Sequence, residues 1–379
     1  MSVPMNMDGP IRVLMTGGGT GGHVYPAIAI ADAVRKQRPG AEIAFAGSRD
    51  RMEWQAVPRA GYPIHEVTVQ GLERRLSARN LKLPFTLAKG LGQAWSLVRH
   101  FDADVVVGTG GYVALPVLLA ARGQHVPVLI QEQNAHIGLT NRIASRFAAR
   151  IHVAFEEALS QFPSSTATLS GNPVRPGLAD GERSAALETF GLPADVRQVL
   201  LVFGGSLGSL ALNNAMEQAV NALLARPDLG IIWQTGPRYH ERVVSGLGDA
   251  SERNGMRLSV RPYLDDMAAA YAAADLVLCR SGALTCSELL LTGTPSLLVP
   301  SPNVTEDHQT VNARSMIAAG AAEMMPEADL GPKLAERLMA MLDNKVGLAR
   351  MGKAALAAAR PSAADDIATD VVRLAEVSA

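Results

Sequence analysis

The chain has 379 residues, 48% hydrophobic and 19% charged, too much apolar material for one ordinary core and enough for two globular domains. A formal charge of -1 and a pI near 6.7 leave no global basic footprint for nucleic acid, so any charge argument has to be local. The only cysteines, Cys279 and Cys286, sit outside any CxxC or Cys/His framework, which excludes a structural zinc and a disulfide scaffold and makes the cytosol the expected compartment.

Met1 to Arg12 lacks a charged segment followed by an apolar one, which argues against secretion. No apolar run reaches the roughly 18–20 residues of a spanning helix. The expectation is a soluble or peripheral protein.

In chain order, Ile11 to Met15 is a short apolar run ending in glycines, and Pro26 to Arg35 has helical periodicity, so the chain opens as strand, tight loop, helix. Strand-like runs recur at Glu42 to Ala46, Asp104 to Val107, Val126 to Ile130 and Ile151 to Ala154, with helix-compatible segments between them. That alternation predicts a parallel, Rossmann-like unit. Ser170 to Pro176 combines helix breakers with a polar turn and is the expected hinge. The pattern restarts at Val199 to Phe203, which runs into Gly204-Gly205-Ser206 and a helix from Leu210. Two similar α/β domains are expected, at 1–171 and 172–358. A terminal helix follows at 359–379, and the pattern leaves open whether it packs on its own domain or crosses back.

Gly17-Gly18-Gly19-Thr20-Gly21-Gly22-His23 leaves a strand and opens a helix, where free N–H groups and the positive dipole end attract anions, so phosphate is the natural guest. G-x-G-x-x-G is satisfied literally, but the acid an NAD site wants about 20 positions on is replaced by Gly47-Ser48-Arg49. A tight turn with no ligand is the alternative. His23 falls in the first helical turn, where the dipole disfavours imidazolium and leaves a neutral ring able to accept a proton. A histidine bonded only to its own loop is the competing structural role.

Gly204-Gly205-Ser206-Leu207-Gly208 has the same strand-to-helix position and adds a hydroxyl that can reach a diphosphate. Cys279 to Glu288 again runs from strand end into helix. Thr285 to Glu288 fits a capping box, and equally Glu288 can accept both hydroxyls of a ribose. Asp307 to Asn312 follows the strand Ser296 to Val299, where amides suit sugar hydroxyls; the alternative is a polar loop with a helix cap.

Taken together and in order, GGGTGGH, GTGGYVALP, QEQNAHIGLTNR, SGNPVRP, GGSLGS, CRSGALTCSE and EDHQTVNA resemble the MurG family over nearly the whole chain. That family transfers N-acetylglucosamine to undecaprenyl-linked lipid I, giving lipid II for peptidoglycan. The resemblance implies two Rossmann-like domains facing a central cleft, the GT-B glycosyltransferase architecture. It implies UDP-GlcNAc as donor, gripped by the C-terminal domain, and lipid I as acceptor. No cofactor, protein-bound metal or nucleic acid is implied. By matching motif, the donor contacts are Thr20, Gly21, Gly22, Asn134, Arg175, Ser206, Leu264 (its backbone meeting the uracil), Ala283, Leu284, Thr285, Cys286, Ser287, Glu288 and Gln309. Two positions depart from the pattern: Gln131, where the family often has histidine, and Leu207, where it usually has glutamine.

An inverting transfer needs a base at the acceptor hydroxyl; His23 is the candidate and Glu132 the alternative. A polyprenyl acceptor places the enzyme at the anionic cytoplasmic face of the inner membrane, peripherally, alongside other cell-wall synthesis proteins. Residues 72–91 fit such a surface, with Arg74, Arg75, Arg79, Lys82 and Lys89 against Glu73, and Leu76 and Phe85 among the interleaved apolar side chains. An ordinary amphipathic helix on its own core has the same pattern. Other functions compatible with the residues are a glycolipid glycosyltransferase or UDP-GlcNAc epimerase on the same architecture, an NADP-dependent oxidoreductase, and a non-catalytic nucleotide-binding module.

Overall fold

The computed structural model describes residues 9–69, 83–162, 165–248, 255–304 and 307–378. The chain divides into two compact units, one formed by Met1–Arg175 with Pro361–Ala379 and the other by Pro176–Arg360. Both divisions fall at a proline, slightly beyond the expected 171 and 358; proline holds the residue before it extended and stops a helix there.

The first unit is a seven-stranded sheet of β1 (Arg12–Thr16), β2 (Glu42–Gly47), β3 (Ile64–Glu66), β4 (Val105–Gly108), β5 (Val128–Glu132), β6 (Arg150–Val153) and β7 (Ala167–Leu169). The order is β3-β2-β1-β4-β5-β6-β7, parallel throughout. Side chains alternate across a strand, so Val13 and Met15 go to one face and Leu14 to the other. Both faces are covered, which is why these strands read as unbroken apolar runs. One face carries the helix Gly21–Gln37, through Val24, Ala27, Ile30, Ala31 and Val34, and the terminal helix Ala363–Ser378, through Ile367, Ala368, Val371 and Ala375. Ion pairs Arg38–Glu376 (3.0 Å) and Lys36–Asp365 (3.7 Å) fasten these two helices. The helices Leu83–Phe101 and Ala114–Gly123 cover the opposite face.

The second unit repeats the plan with β8 (Gln198–Phe203), β9 (Leu229–Gln234), β10 (Leu258–Arg261), β11 (Leu276–Cys279), β12 (Ser296–Leu298) and β13 (Ala322–Met324). Their order is β10-β9-β8-β11-β12-β13, again parallel. In each sheet the strand order reverses beside the first strand, between β1 and β4 and between β8 and β11. The crevice outside the carboxyl ends of such a pair is where open α/β sheets bind ligands. Both pairs end in glycine-rich loops.

Candidate functional sites at the two switch points

In the first unit Thr16 stands opposite Gly108, so the loops after β1 and β4 lie side by side. They are in close contact: Gly18 N–H donates to the Gly110 carbonyl (3.3 Å), and a side chain on Gly111 would overlap the Gly18 carbonyl. Gly111 also has φ +84°, so two constraints require glycine there. The anion at this loop comes from the chain itself. Buried Glu53 accepts from Gly19 N–H (2.9 Å) and Ser48 N–H (3.2 Å), and a Cβ on Gly18 would strike its carboxylate. The expectation of phosphate at this loop therefore does not hold for the Gly18–Gly19 stretch, whose amides are already taken.

The N–H groups of Thr20, Gly21 and Gly22 donate to no described residue. Thr20 is the N-cap of the helix Gly21–Gln37, and its side chain makes no capping bond. His23 lies in that first turn. Its Nδ1 is 2.9 Å from the Thr109 carbonyl and 2.8 Å from Gln133 Oε1, and Thr109 Oγ1 donates back to the His23 carbonyl (2.8 Å). A carbonyl only accepts, so Nδ1 carries the hydrogen and Nε2 carries the lone pair. Nε2 has no partner among the described residues. This is the tautomer a general base needs. Arg175 lies with its guanidinium 5.7 Å from the ring centre of Tyr25, two residues after His23 in that helix.

Behind His23 is a buried run of amides. Gln133 Nε2 donates to the Thr109 carbonyl (2.7 Å), the Gln131 carbonyl (3.1 Å) and Gln131 Oε1. Gln131 Nε2 donates to Asn172 Oδ1 (2.9 Å), and Asn172 Nδ2 to the Gln133 carbonyl (3.0 Å). Glu132, the alternative base, is saturated. One oxygen accepts from Asn134 N–H (3.0 Å) and Asn134 Nδ2 (3.2 Å), the other from Gly138 N–H (3.1 Å) and Asn141 Nδ2 (2.9 Å). It is buried and its acceptor positions are filled, so it anchors the loop that presents Asn134.

In the second unit Phe203 stands opposite Cys279, which sets the GGS and CRSG loops side by side. Gln234, at the end of β9, donates to the Gly205 carbonyl (2.9 Å) and accepts from Leu264 N–H (3.0 Å). Leu264 N–H is thereby taken, and its carbonyl accepts from no described residue. Ser206 is exposed with no partner among the described residues, and Leu207 beside it is 78% exposed. Buried Ser281 donates to the Gln309 carbonyl (2.8 Å), and Gln309 Oε1 accepts from Ser301 N–H (2.8 Å), leaving its Nε2 available. Arg280, in the CRSG turn, faces inward. It donates to the Val299 and Pro300 carbonyls (both 3.1 Å), Ser209 Oγ (2.7 Å) and the Glu327 carboxylate.

The helix Ala283–Thr292 begins with Gly282 as its N-cap. Thr285 is therefore already inside the first turn, and the capping-box reading of Thr285 to Glu288 is overturned. Glu288 is half-buried and accepts from Tyr271 Oη (2.9 Å). Cys286 is buried, and burial pushes its thiol up to about 12, so it contributes packing and backbone only. Ala283 is buried; Leu284, Thr285 and Ser287 are half-buried along the same turns.

Of the segment expected at a membrane, Arg74, Arg75, Leu76, Arg79 and Lys82 lie outside the described residues, as does the Phe85 side chain. The rest of the helix Leu83–Phe101 exposes Leu87, Leu91 and Trp95, at four-residue spacing on one face. Gln133, Thr109, Glu53 and Gln234 are the site residues that sequence reasoning did not assign.

Two open parallel sheets of this order, each with glycine-rich turns at its switch point, have the two-domain GT-B fold. Residues 13–153 match the glycosyltransferase family 28 N-terminal domain and residues 199–367 its C-terminal domain. The UDP-N-acetylglucosamine–N-acetylmuramyl-(pentapeptide) pyrophosphoryl-undecaprenol N-acetylglucosamine transferase of Salinibacter ruber is 56% identical over 96% of this chain and 97% of its own. The crystal structure of Acinetobacter baumannii MurG superposes with a TM-score of 0.75 at 32% identity, covering 96% of this chain and all of that one. The chain belongs to the MurG family of family 28 glycosyltransferases. A putative UDP-N-acetylglucosamine 2-epimerase from Listeria monocytogenes shares the fold (TM-score 0.71, 96% of each chain) at 16% identity.

Proposed function

We propose that this chain moves N-acetylglucosamine from UDP-N-acetylglucosamine to the C4 hydroxyl of the N-acetylmuramyl residue on pyrophosphoryl-undecaprenol, with inversion, forming lipid II from lipid I. The observation that carries this reading is 56% identity to the Salinibacter ruber transferase over nearly the full length of both chains. The epimerase likeness extends to the fold alone and favours no second reading.

The acceptor hydroxyl gives its proton to His23 Nε2 as its oxygen bonds to the anomeric carbon, and the bond from that carbon to the UDP oxygen breaks. The charge that develops on UDP is met by helix-start amides, the Ser206 hydroxyl and Arg175, without a protein-bound metal. Glu288, held by Tyr271, takes the ribose hydroxyls; Leu264, Gln309 and the turn Ala283–Ser287 hold the rest of the donor. Thr20, Gly21, Gly22 and Asn134 offer N–H and amide groups to sugar hydroxyls. The polyprenyl acceptor sets the work at the cytoplasmic membrane surface. The exposed Leu87, Leu91 and Trp95 row and the basic residues 74–89 support peripheral docking there. No helix among the described residues is long and apolar enough to cross a membrane.

The test is product analysis with purified lipid I and labelled UDP-N-acetylglucosamine. Labelled disaccharide-lipid plus UDP is expected. A free epimerised UDP-hexosamine, or UDP binding without turnover, would overturn the proposal. His23→Ala is expected to retain UDP binding and lose about 100-fold or more in kcat.

A further inference from the structure

We infer that Gln133 is the positioning residue for His23: with Gln131 and Asn172 it forms a one-way chain of buried amides that fixes the Nε2 lone pair toward the reacting hydroxyl. The inference rests on the reading of His23 as base and adds what holds that base in its working tautomer.

The direction of the chain follows from its neighbours. Gln133 Nε2 is surrounded by three oxygens: the Thr109 carbonyl, the Gln131 carbonyl and Gln131 Oε1. Turning this amide over would set its oxygen against all three, so Oε1 must face His23. Gln131 is oriented in turn, because its Nε2 reaches Asn172 Oδ1 and the Glu132 carbonyl (3.3 Å). Asn172 Nδ2 ends the run on the Gln133 carbonyl. Each side chain donates to the next, and the first donor is His23 Nδ1–H. Gln131, Gln133 and Asn172 are at most 3% exposed, so water does not compete for these bonds.

Thr109 holds the other side of the ring, accepting from Nδ1 through its carbonyl and donating to the His23 carbonyl through its hydroxyl. The acceptors at Nδ1 are neutral. At Gln131, where the family pattern often carries histidine, an amide makes the link with no titrating group. Asn172 lies three residues before the end of the unit's long segment at Arg175, so the chain also ties the segment after β7 to the ring.

The experiment compares Gln133→Met and Gln133→Glu with the parent as full-length proteins. It measures kcat, donor KM, the pH profile of kcat, and ¹⁵N signals of the His23 ring assigned by their loss in His23→Ala. Gln133→Met keeps length and removes the acceptor. A fall in kcat of about tenfold or more is expected, with donor KM within about twofold and a larger share of the Nε2–H tautomer, because Nδ1 then keeps only the Thr109 carbonyl of its two acceptors. Gln133→Glu keeps an acceptor at Nδ1 and adds charge. It is expected to retain Nδ1–H and to move the acid limb of kcat to higher pH, because a carboxylate favours imidazolium. A packing role predicts similar losses in both variants and an unmoved limb. An unchanged tautomer in Gln133→Met overturns the inference. So does an unmoved limb in Gln133→Glu, which decides the matter if the methionine variant does not fold. Unaltered turnover in His23→Ala overturns the base assignment separately, and the ¹⁵N tautomer still reports on Gln133.

Discussion

Replacing Glu132 by glutamine changes one atom of a buried carboxylate and tests whether that group anchors a loop or takes a proton. Each oxygen accepts two hydrogen bonds, one from Asn134 N–H and Nδ2, the other from Gly138 N–H and Asn141 Nδ2. Whichever oxygen becomes an NH2 group therefore faces two donors in a site only 1% exposed. An unsatisfied buried donor costs about 1–3 kcal/mol, so two cost roughly 2–6 kcal/mol. Asn141 lowers that figure if it turns over, since its Oδ1 is buried without a partner and can accept from the new amide. Turning over forfeits its bond to the Gln131 carbonyl (3.1 Å), so a net loss of about 2–4 kcal/mol is expected. For a unit of about 190 residues this lowers Tm by about 5–15 °C, read by calorimetry, while kcat at 25 °C falls less than about tenfold. A Tm within 1 °C of the parent with turnover reduced about 100-fold would refute the anchor reasoning and make Glu132 the base.

Glu288→Ala removes a group held by Tyr271 and a charge-assisted contact worth about 1.5–3 kcal/mol, so the donor KM rises about 10- to 100-fold with kcat little changed. An unchanged KM in steady-state titration removes Glu288 from the donor site. His152 is buried between Ser170 Oγ (2.5 Å from Nδ1) and Asp370 (3.3 Å from Nε2, outside hydrogen-bond geometry), and burial holds its pKa below 6.5 despite Asp370. The unfolded chain then binds a proton that the fold refuses, so stability falls as pH drops below about 6.5, by up to about 1.4 kcal/mol per pH unit. Urea midpoints at pH 7.5 and 5.5 should show this slope and its loss in His152→Gln; equal slopes reject it. Leu87→Asp with Leu91→Asp should abolish co-sedimentation with anionic vesicles and leave the Tm within about 2 °C, as both side chains are exposed. Undiminished sedimentation moves the docking surface elsewhere.

The legible parts of the fold were those with local signals. β1, β4, β8 and β11 are unbroken apolar runs ending at glycine or at the CRSG turn, and burial on both faces makes such runs conspicuous. β3 and β7 are three-residue edge strands with exposed positions, so no apolar pattern marks them. β9 had a signal, the Gly230 to Trp233 run between Pro227 and Gly236. The residues that complete the sites were illegible because their partners are remote: His23 and Gln133 are 110 positions apart, Gly19 and Glu53 34. A polar residue just past a buried strand is the one hint Gln133 offers. Glu53 follows β2 close to where an acid was sought for a dinucleotide ribose, but its carboxylate turns back onto the glycine loop.

That inward turn explains how one supersecondary plan, used twice, serves two tasks. Both units put a strand, a glycine loop and a helix start at a switch point, and geometry alone would give both a taste for diphosphate. In the first, the Gly19 amide is spent on Glu53 and Gly18 on the Gly110 carbonyl. A phosphate brought within about 4 Å of that carboxylate would meet a repulsion on the order of 4 kcal/mol per charge pair at a surface-like dielectric. The remaining Thr20, Gly21 and Gly22 amides, beside the Glu53 carboxylate, suit hydroxyl oxygens, and His23 Nε2 beside them offers a lone pair. In the second, no described carboxylate bonds the amides of Gly204, Gly205 or Ser206, and the Ser206 hydroxyl stands exposed. Under the proposed function, the loop without a resident anion holds the donor's diphosphate, and the loop that carries its own holds the base.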